Sequence, residues 1–271
     1  MPELPEVETI RRGLLPLVKE RTIEAVWISP QAPKLVAYPS TELFCRQLQG
    51  RRLLDVARRG KFLLFPLDDG RTWIVHLRMT GTLHHSRQGC QLPYLRARFL
   101  LDDGSFLCYQ DQRKLGRMWL VDDPLPIVGS LGPEPFSPSL TGHPLAEALV
   151  KRRAPIKSIL LDQRVMAGIG NIYADEALFQ AGIHPLRPAA SLGEEEVERL
   201  LEAVRTVLAE ALAHGGTSFR SYVDSSGRPG SHQHYVRVFR REGLPCPQCQ
   251  TPITRAKVGG RSTYYCANCQ S

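Results

Sequence analysis

The spacing of apolar residues divides the chain into a first half with strand-like periodicity and a second half with helical periodicity. Near the N-terminus, apolar residues recur at helical intervals from Val7 to Val18, and Pro5 suits a first helical turn. The pattern predicts a helix there. Because proline lacks an amide hydrogen, Pro16 is expected to kink or end this helix.

Between residues 22 and 121 the apolar period shortens to that of strands. The pattern predicts seven strands, at residues 22–29, 52–56, 61–66, 72–77, 96–101, 105–109 and 117–121. Asp-Asp-Gly turns at 68–70 and 102–104 are expected to join neighbouring strands as hairpins. These features predict an antiparallel β-sandwich or barrel with the first helix attached.

A proline-rich segment at 122–144 lacks periodicity and is predicted to be an interdomain linker. Beyond it, helices are predicted at 144–151, 154–162, Asn171–Ala181 and 193–213. A Gly- and Ser-rich stretch and a short Cys-rich module follow. The overall prediction is an α+β protein with a β-sandwich domain at 1–134, a helical domain at 135–240 that includes a loop at 215–230, and a C-terminal module at 241–271.

Composition narrows the class of partner. The hydrophobic fraction of 42% and charged fraction of 23% exclude a disordered chain. No apolar run approaches the ~20 residues of a membrane helix, and the N-terminus has no secretory pattern, so a cytoplasmic protein without a membrane partner is expected. Residues 217–271 hold eight basic and two acidic residues, which is +6 of the net +8. This suggests a polyanionic partner, although the charge alone is equally consistent with an ordinary basic surface.

Four cysteines form two CxxC pairs separated by sixteen residues: Cys246, Cys249, Cys266 and Cys269. Two such pairs at this spacing predict one tetrahedral Zn²⁺, and four thiolates leave no open position, so the zinc is expected to be structural. A redox CxxC pair is the alternative, disfavoured because no α/β pattern surrounds it. The scattered cysteines Cys45, Cys90 and Cys108 are expected to be small buried apolar residues without function.

Between the two CxxC pairs, residues 253–257 and 261–265 are predicted to form a β-hairpin around Gly259 and Gly260. Arg261 then lies at the hairpin tip. A lone arginine on a turn is usually solvated, but the local positive charge favours a phosphate contact.

Six ordered motifs identify a family. They are MPELPEVET at 1–9, RGK at 59–61, HLRMTG at 76–81, DQR at 111–113, GIGNIYADE at 168–176 and GGT at 215–217. Together with the Cys-rich hairpin they resemble the formamidopyrimidine-DNA glycosylase family over nearly the whole chain. The resemblance implies a monomeric base-excision-repair enzyme that acts on double-stranded DNA, removes 8-oxoguanine and ring-opened purines, and then cuts the strand as a lyase. It also implies a helix–two-turns–helix element and a zinc finger.

The first residues suit this chemistry. Removal of Met1 would expose Pro2 as a secondary α-amine, whose reference pKa near ~8 leaves a useful neutral fraction. Such an amine can attack the sugar C1′, form a Schiff base and promote β,δ-elimination. Glu3 is the expected proton carrier and Glu6, one turn further, a supporting group. Without the family resemblance, the same residues could be no more than the start of a helix, where acidic side chains are favoured by the helix dipole.

The resemblance assigns further residues. Lys61 is expected to reach the phosphates and base at the lesion. Met79, Arg113 and Leu115 are expected to fill the gap left by the extruded nucleotide. Leu115 stands where the family usually has phenylalanine, and Arg78 where it often has glycine.

The second half is expected to hold the DNA backbone. Asn171, Lys157 and Arg261 are the predicted phosphate contacts, with Asn171 also a candidate helix N-cap. Glu176 is expected to brace its helix. The loop predicted to close over the base as a mobile lid offers three candidate contacts: Thr217, Ser218 and Arg220.

Two alternatives remain open at this point. An endonuclease VIII-type enzyme would apply the same chemistry to oxidised pyrimidines, and Leu115 mildly favours it. A catalytically silent DNA-binding relative would keep the basic face and zinc module but would require neither Pro2, Glu3 nor Lys61.

Overall fold

The computed structural model describes residues 2–219 and 221–271. They form two compact units. The N-terminal unit comprises the chain up to Ser130 together with His214–Gln233. The C-terminal unit comprises Leu131–Ala213 and His234–Ser271. Among the described residues, no helix has the length and apolarity required to cross a membrane.

The N-terminal unit begins with helix α1, Leu4–Val18, whose apolar face lies in the core. A capping box starts the helix. The Glu3 carboxylate accepts a hydrogen bond from the Glu6 backbone amide, and the Glu6 carboxylate accepts one from the Glu3 backbone amide. The helix does not end at Pro16, one of the two predicted outcomes, because it runs two residues past it. Pro16 lies in the last turn, where the loss of one amide donor is tolerated.

Nine strands and helix α2 follow α1 between residues 23 and 121. Their bounds are β1 Ile23–Ile28, β2 Val36–Tyr38, α2 Thr41–Leu48, β3 Ala57–Arg59, β4 Phe62–Pro66, β5 Thr72–His76, β6 Gly81–Ser86, β7 Leu95–Leu101, β8 Phe106–Asp111 and β9 Arg117–Val121. One sheet has the order β1-β7-β8-β6 and the other β2-β9-β5-β4-β3. Trp73 of the second sheet packs against Phe99 of the first, with ring centroids 4.4 Å apart, so the two sheets share one core.

The sandwich prediction is confirmed, with three corrections. Both Asp-Asp-Gly hairpins form, as β4–β5 and β7–β8. The predicted strand at 52–56 is instead Ala57–Arg59, and α2, β2 and β6 were not predicted. The β2–β9 pair is parallel, whereas a wholly antiparallel sandwich was expected.

The C-terminal unit is helical and ends in a hairpin. Its elements are α4 Gly142–Leu149, α5 Ile156–Leu160, α6 Asn171–Ala181, α7 Glu194–Ala213, β10 Thr254–Val258 and β11 Arg261–Tyr265, while the short helix α3 Leu125–Val128 precedes it in the N-terminal unit. Helix α6 packs on α7 and on β11, which explains why most of its side chains are buried. The segment at 122–144, predicted to be a linker without regular structure, contains α3 and the start of α4.

The segment His214–Gln233 packs within the N-terminal unit, although the predicted division placed the loop at 215–230 in the helical domain. Tyr222 explains the grouping, because its ring joins the apolar core beneath α1. The boundaries drawn at residues 134 and 240 stay predictions.

Cys90 and Cys108 form a disulfide, which corrects the expectation that both are isolated apolar residues. Their Cα atoms are 5.6 Å apart, within the range that such a bond requires. The bond joins the loop between β6 and β7 to strand β8. Cys45 is a free cysteine and is half-buried, whereas a buried one was expected.

Candidate active site

Pro2 and Glu3 are buried directly before α1, at the start of the described chain. Glu6 lies one helical turn further on and is also buried. Its Oε2 accepts the Glu3 amide hydrogen at 2.7 Å. The capping box therefore fixes the backbone on which both predicted catalytic residues stand.

The second carboxylate oxygen of Glu6 holds the loop that follows α7. Its Oε1 accepts the Thr217 amide hydrogen at 2.8 Å. The Tyr222 hydroxyl donates to the Gly215 carbonyl at 3.1 Å and lies 3.4 Å from the Glu6 carbonyl. One carboxylate thus links the predicted catalytic residues at the N-terminus to the predicted base-recognition loop, a more specific role than the general support expected for Glu6.

Glu6→Gln is expected to break this link. A glutamine has one acceptor oxygen, so its NH₂ group would face one of the two amide donors that Glu6 now satisfies. We expect a loss of about 1–3 kcal/mol in the free energy of unfolding and faster amide exchange at Thr217. Chemical denaturation and hydrogen exchange measure both, with the exposed Glu20→Gln as control. Unchanged exchange at Thr217 would contradict the assignment.

The same loop has further anchors. The His85 amide donates to the Ser225 carbonyl at 2.9 Å. The Ser218 hydroxyl donates to the Tyr222 carbonyl and accepts the Gly230 amide hydrogen. In this structure the described part of the predicted lid is docked, and Ser218 is engaged within the loop. Arg220, the third predicted contact, lies outside the described residues.

Lys61 is buried at the beginning of β4, next to His76 of β5. Burial, together with the positive charges of Arg78 and Lys61, lowers the pKa of His76 to about 3. The ring is therefore neutral at physiological pH. Its Nδ1 accepts the Arg78 amide hydrogen at 3.0 Å, which positions the turn that carries Met79.

The low pKa of His76 predicts acid sensitivity. The folded-state pKa lies below the ordinary value of 6.5, so the unfolded chain binds the proton first. Stability is complete above pH ~6.5 and falls by up to about 1.4 kcal/mol per pH unit as the pH drops toward 3. His76→Asn keeps an acceptor for Arg78 without titrating.

We therefore expect wild type to lose roughly 2 kcal/mol more than His76→Asn between pH 7 and pH 5. Urea denaturation at both pH values gives the difference. The exposed His143→Asn is the control and should follow wild type. Equal losses in wild type and His76→Asn would show that His76 is not the responsible group.

The three predicted wedge residues lie on two adjacent loops of the N-terminal unit. Met79 and Leu115 are large apolar side chains that stay about two-fifths exposed, and Arg113 is exposed as well. Asp111 joins the loops: its carboxylate accepts from the Thr80 hydroxyl and from the Arg113 and Gly116 amides. Sequence reasoning assigned Asp111 no role beyond the family motif.

Arg78 has a φ of +56°, in the left-handed region that favours glycine. A non-glycine residue there costs roughly 1–2 kcal/mol. The conformation gives a physical reason for glycine at this position in the family.

In the C-terminal unit, Asn171 is the first residue of α6 and Gly170 is the N-cap, which corrects the N-cap alternative. The Asn171 side-chain amide donates to the Ser262 carbonyl at 2.9 Å. Arg261 is exposed at the turn of the β10–β11 hairpin, as predicted. Asn171 therefore joins the start of α6 to the strand that carries Arg261.

Lys157 does not fit its predicted role as a phosphate contact. Its side chain is wholly buried and its Nζ lies 2.7 Å from Asp175 Oδ1. The same Nζ donates to the Ser262 carbonyl and the Thr263 hydroxyl. Burial raises the pKa of Asp175 to about 7, against the opposing effect of Lys157. The pair fixes the hairpin to α5 and α6 and is out of reach of a phosphate.

Two consecutive acidic residues of α6 accept hydrogen bonds from backbone amides of later segments of the chain. Asp175 accepts the Tyr264 amide hydrogen at 3.1 Å. Glu176 accepts the amides of Arg237, Val238 and Phe239 at 2.7–3.0 Å. The sequence predicted that Glu176 braces its own helix, but its acceptor atoms hold residues 237–239 instead. The role of Asp175 was not predicted.

The four predicted zinc ligands form one cluster. The Sγ atoms of Cys246, Cys249, Cys266 and Cys269 all lie within 4.8 Å of one another. The Cys246–Cys269 and Cys249–Cys266 sulfur pairs are 3.9 and 3.4 Å apart. Tetrahedral Zn²⁺ with 2.3 Å bonds requires sulfur pairs about 3.8 Å apart, so the cluster fits one zinc ion.

Comparison with known proteins decides the family. Models of the formamidopyrimidine-DNA glycosylase N-terminal domain and H2TH domain match residues 1–118 and 131–223, and a zinc finger found in FPG and IleRS matches residues 243–271. The formamidopyrimidine-DNA glycosylases of Heliobacterium modesticaldum and Chloroflexus aggregans are 47% and 46% identical. The alignments cover all of this chain and 100% and 98% of those proteins.

The chain belongs to the formamidopyrimidine-DNA glycosylase family.

Solved structures of this glycosylase family agree with the fold. The MutM (Fpg) protein of Thermus thermophilus superposes with a TM-score of 0.88 at 43% identity, covering 99% of this chain and 98% of that one. Lactococcus lactis Fpg in complex with abasic-site DNA gives 0.92 at 33% identity, covering 99% of each chain. The α+β fold, the zinc finger and its single structural zinc, all predicted from the sequence, are confirmed.

Proposed function

We propose that this glycosylase-family protein is a bifunctional DNA glycosylase and abasic-site lyase that uses the Pro2 amine as its nucleophile. The observation that carries the proposal is the buried start of α1. There Pro2 and Glu3 stand on a backbone fixed by Glu6, and Glu6 also holds the base-recognition loop through Thr217. A binding protein would require no such arrangement around its first residue.

The reaction follows from the amine. The Pro2 nitrogen bonds to C1′ of the damaged nucleotide, and the glycosidic bond breaks, with its electron pair leaving on the base. The Pro2 nitrogen loses its N–H proton, and Glu3 supplies a proton to the sugar ring oxygen. The C1′–O4′ bond then breaks, so the ring opens and a cationic iminium forms. The iminium acidifies C2′. Loss of that proton expels the 3′ phosphate, and a second elimination expels the 5′ phosphate.

The partner is double-stranded DNA that carries oxidised bases or abasic sites. Met79, Arg113 and Leu115 form an exposed wedge suited to filling the space of an extruded nucleotide. Lys61 is proposed to contact the phosphates and base at the lesion. The protein is proposed to act as a monomer in the cytoplasm.

Backbone binding is assigned to the C-terminal unit. Asn171 and Arg261 are the proposed phosphate contacts, and Arg261 stands exposed on the zinc hairpin. The zinc is structural because four thiolates complete its coordination. Lys157 is withdrawn from the phosphate contacts, since its ammonium group is wholly buried.

Oxidised purines are the proposed substrates. The experiment compares excision from duplexes that contain 8-oxoguanine, formamidopyrimidine or thymine glycol. We expect the purine lesions to be cut faster. The alternative is an endonuclease VIII-type preference for oxidised pyrimidines, favoured only by Leu115 in place of phenylalanine. Cutting of thymine glycol with 8-oxoguanine ignored would establish that alternative.

A further inference from the structure

A shallow pocket of about 560 Å³, open to solvent, lies on the surface of the N-terminal unit, apart from the residues assigned to catalysis. It lies where the end of β1 meets the start of β7. Its wall includes two partly exposed aromatic rings, Trp27 and Tyr94, and the side chain of Leu92.

The polar groups of the pocket are fixed in place. Arg96 is 6% exposed, and its Nε donates to the Asp111 carbonyl at 3.0 Å while Nη1 donates to Gln31 Oε1 at 3.1 Å. Within the described residues, Nη2 makes no hydrogen bond. Three of the five N–H groups of this guanidinium therefore form no hydrogen bond in the described chain, and the guanidinium carbon lies 5.9 Å from the Tyr94 ring centre. Beside a glutamine amide, such a group is suited to an acceptor-rich planar ligand.

A second arginine lies over the indole at this site. The Arg98 guanidinium is 5.5 Å from the Trp27 ring centre. In the described part of the chain it forms no ion pair. Its charge is therefore available to an anionic group attached to a ligand that stacks on Trp27.

The conformation of Tyr94 also points to a ligand. Its φ is +58°, which is unusual for a bulky residue, and half of its side chain stays exposed. The Asp111 amide donates to the Tyr94 carbonyl at 3.1 Å and holds this conformation. Strain maintained to keep an aromatic ring exposed is common at binding sites, whereas a structural turn would favour glycine here.

We propose that this pocket binds an unstacked nucleobase, with its phosphate toward Arg98. Aromatic rings stack on any base, Arg96 and Gln31 offer donors and an amide to its edge, and Arg98 supplies the positive charge. Through Asp111, the occupied site would touch the residue that also holds the wedge loops of Met79 and Arg113. The base could come from a free nucleotide or from an unpaired stretch of DNA.

Equilibrium dialysis with dGMP tests the site. We expect wild type to bind dGMP but not deoxyribose 5-phosphate, which lacks the base. Trp27→Ala should weaken dGMP binding about 5- to 150-fold, since base–aromatic stacking contributes about 1–3 kcal/mol. Pro2→Gly should bind dGMP like wild type, which separates this site from the proposed catalytic one. No binding by wild type at millimolar dGMP, or equal binding by Trp27→Ala, overturns the proposal.

Tyr94→Gly tests whether the Tyr94 ring binds the ligand or only stabilises the fold. Glycine accepts a positive φ without strain, so this variant should keep or raise the melting temperature while it loses affinity for dGMP. Tyr94→Gly that binds dGMP normally would overturn the role of the ring.

The source of the base is distinguished with DNA, and this arm rests on the proposed function. If the base comes from DNA, Trp27→Ala should bind a duplex with an unpaired overhang more weakly than wild type does, and should bind a blunt duplex as tightly as wild type. If Trp27→Ala binds both duplexes as tightly as wild type, while dGMP binding still depends on Trp27, the site is assigned to a free nucleotide.

Discussion

A variant with one extra residue fused in front of Pro2, and resistant to N-terminal processing, is expected to lose both base excision and strand cleavage. The extra peptide bond converts the secondary amine into an amide, which has no free electron pair for attack on C1′. We expect the rate of excision of 8-oxoguanine to fall by at least about 10³-fold, as is typical when a covalent nucleophile is removed. A gel assay on a labelled lesion duplex measures the loss.

Two controls make this result specific. Affinity for the same duplex should change little, because phosphate contacts dominate DNA binding. Pro2→Gly keeps an α-amine but loses the ring, and it should lose lesion excision sharply while duplex affinity is retained. An N-terminally extended protein that excises 8-oxoguanine at the wild-type rate would contradict the proposed nucleophile.

Cys266→Ser is expected to remove the zinc and unfold the hairpin that carries Arg261. Cys266 is wholly buried within the sulfur cluster. Zinc binding contributes about 10–16 kcal/mol in isolated zinc-finger peptides, far more than so short a segment gains from its own small core. We expect zinc content to fall from one ion per chain toward none. Fast hydrogen exchange should then extend through residues 246–271.

The matched control for this variant is Cys45→Ser, a free and half-buried cysteine outside the cluster. It should keep one zinc and a protected hairpin. Affinity for DNA should fall in Cys266→Ser with a smaller dependence on salt, because fewer phosphates are contacted. Full zinc content in Cys266→Ser would show that the four thiolates are not the ligand set.

Local patterns predicted much of the fold. Asn171–Ala181 forms a helix with the predicted bounds, because a glycine pair precedes it and Gly182, in a left-handed conformation, ends it. The two Asp-Asp-Gly hairpins formed for the same kind of local reason. Strand β6 was missed because its buried residues include polar ones such as Thr82 and His84, which satisfy each other with Gln110.

The site was predicted less completely, because its supporting contacts join distant parts of the sequence. Glu6 and Thr217 are 211 residues apart, and no pattern in the sequence predicts the hydrogen bond between them. The same holds for Lys157, which looks like a surface lysine in sequence but pairs with Asp175 in the interior. Motifs supplied the predicted catalytic residues, whereas the contacts that position these residues became visible only in three dimensions.

Loop residues show a related limit. Asp111 lies in the DQR motif, but the sequence does not show that its carboxylate joins the Thr80 and Arg113 loops. Likewise, the scattered positions of Cys90 and Cys108 did not indicate a bond between them. Both features depend on how β-strands are ordered in the sheet, which a single sequence does not specify.

The most direct test is to trap the enzyme on DNA with borohydride and map the crosslinked peptide. Reduction of the iminium would leave a stable bond between protein and deoxyribose. We predict one adduct, on the nitrogen of Pro2 in a peptide that begins with that residue. An adduct located on Lys61 or another internal lysine, or no adduct with active protein, would contradict the account.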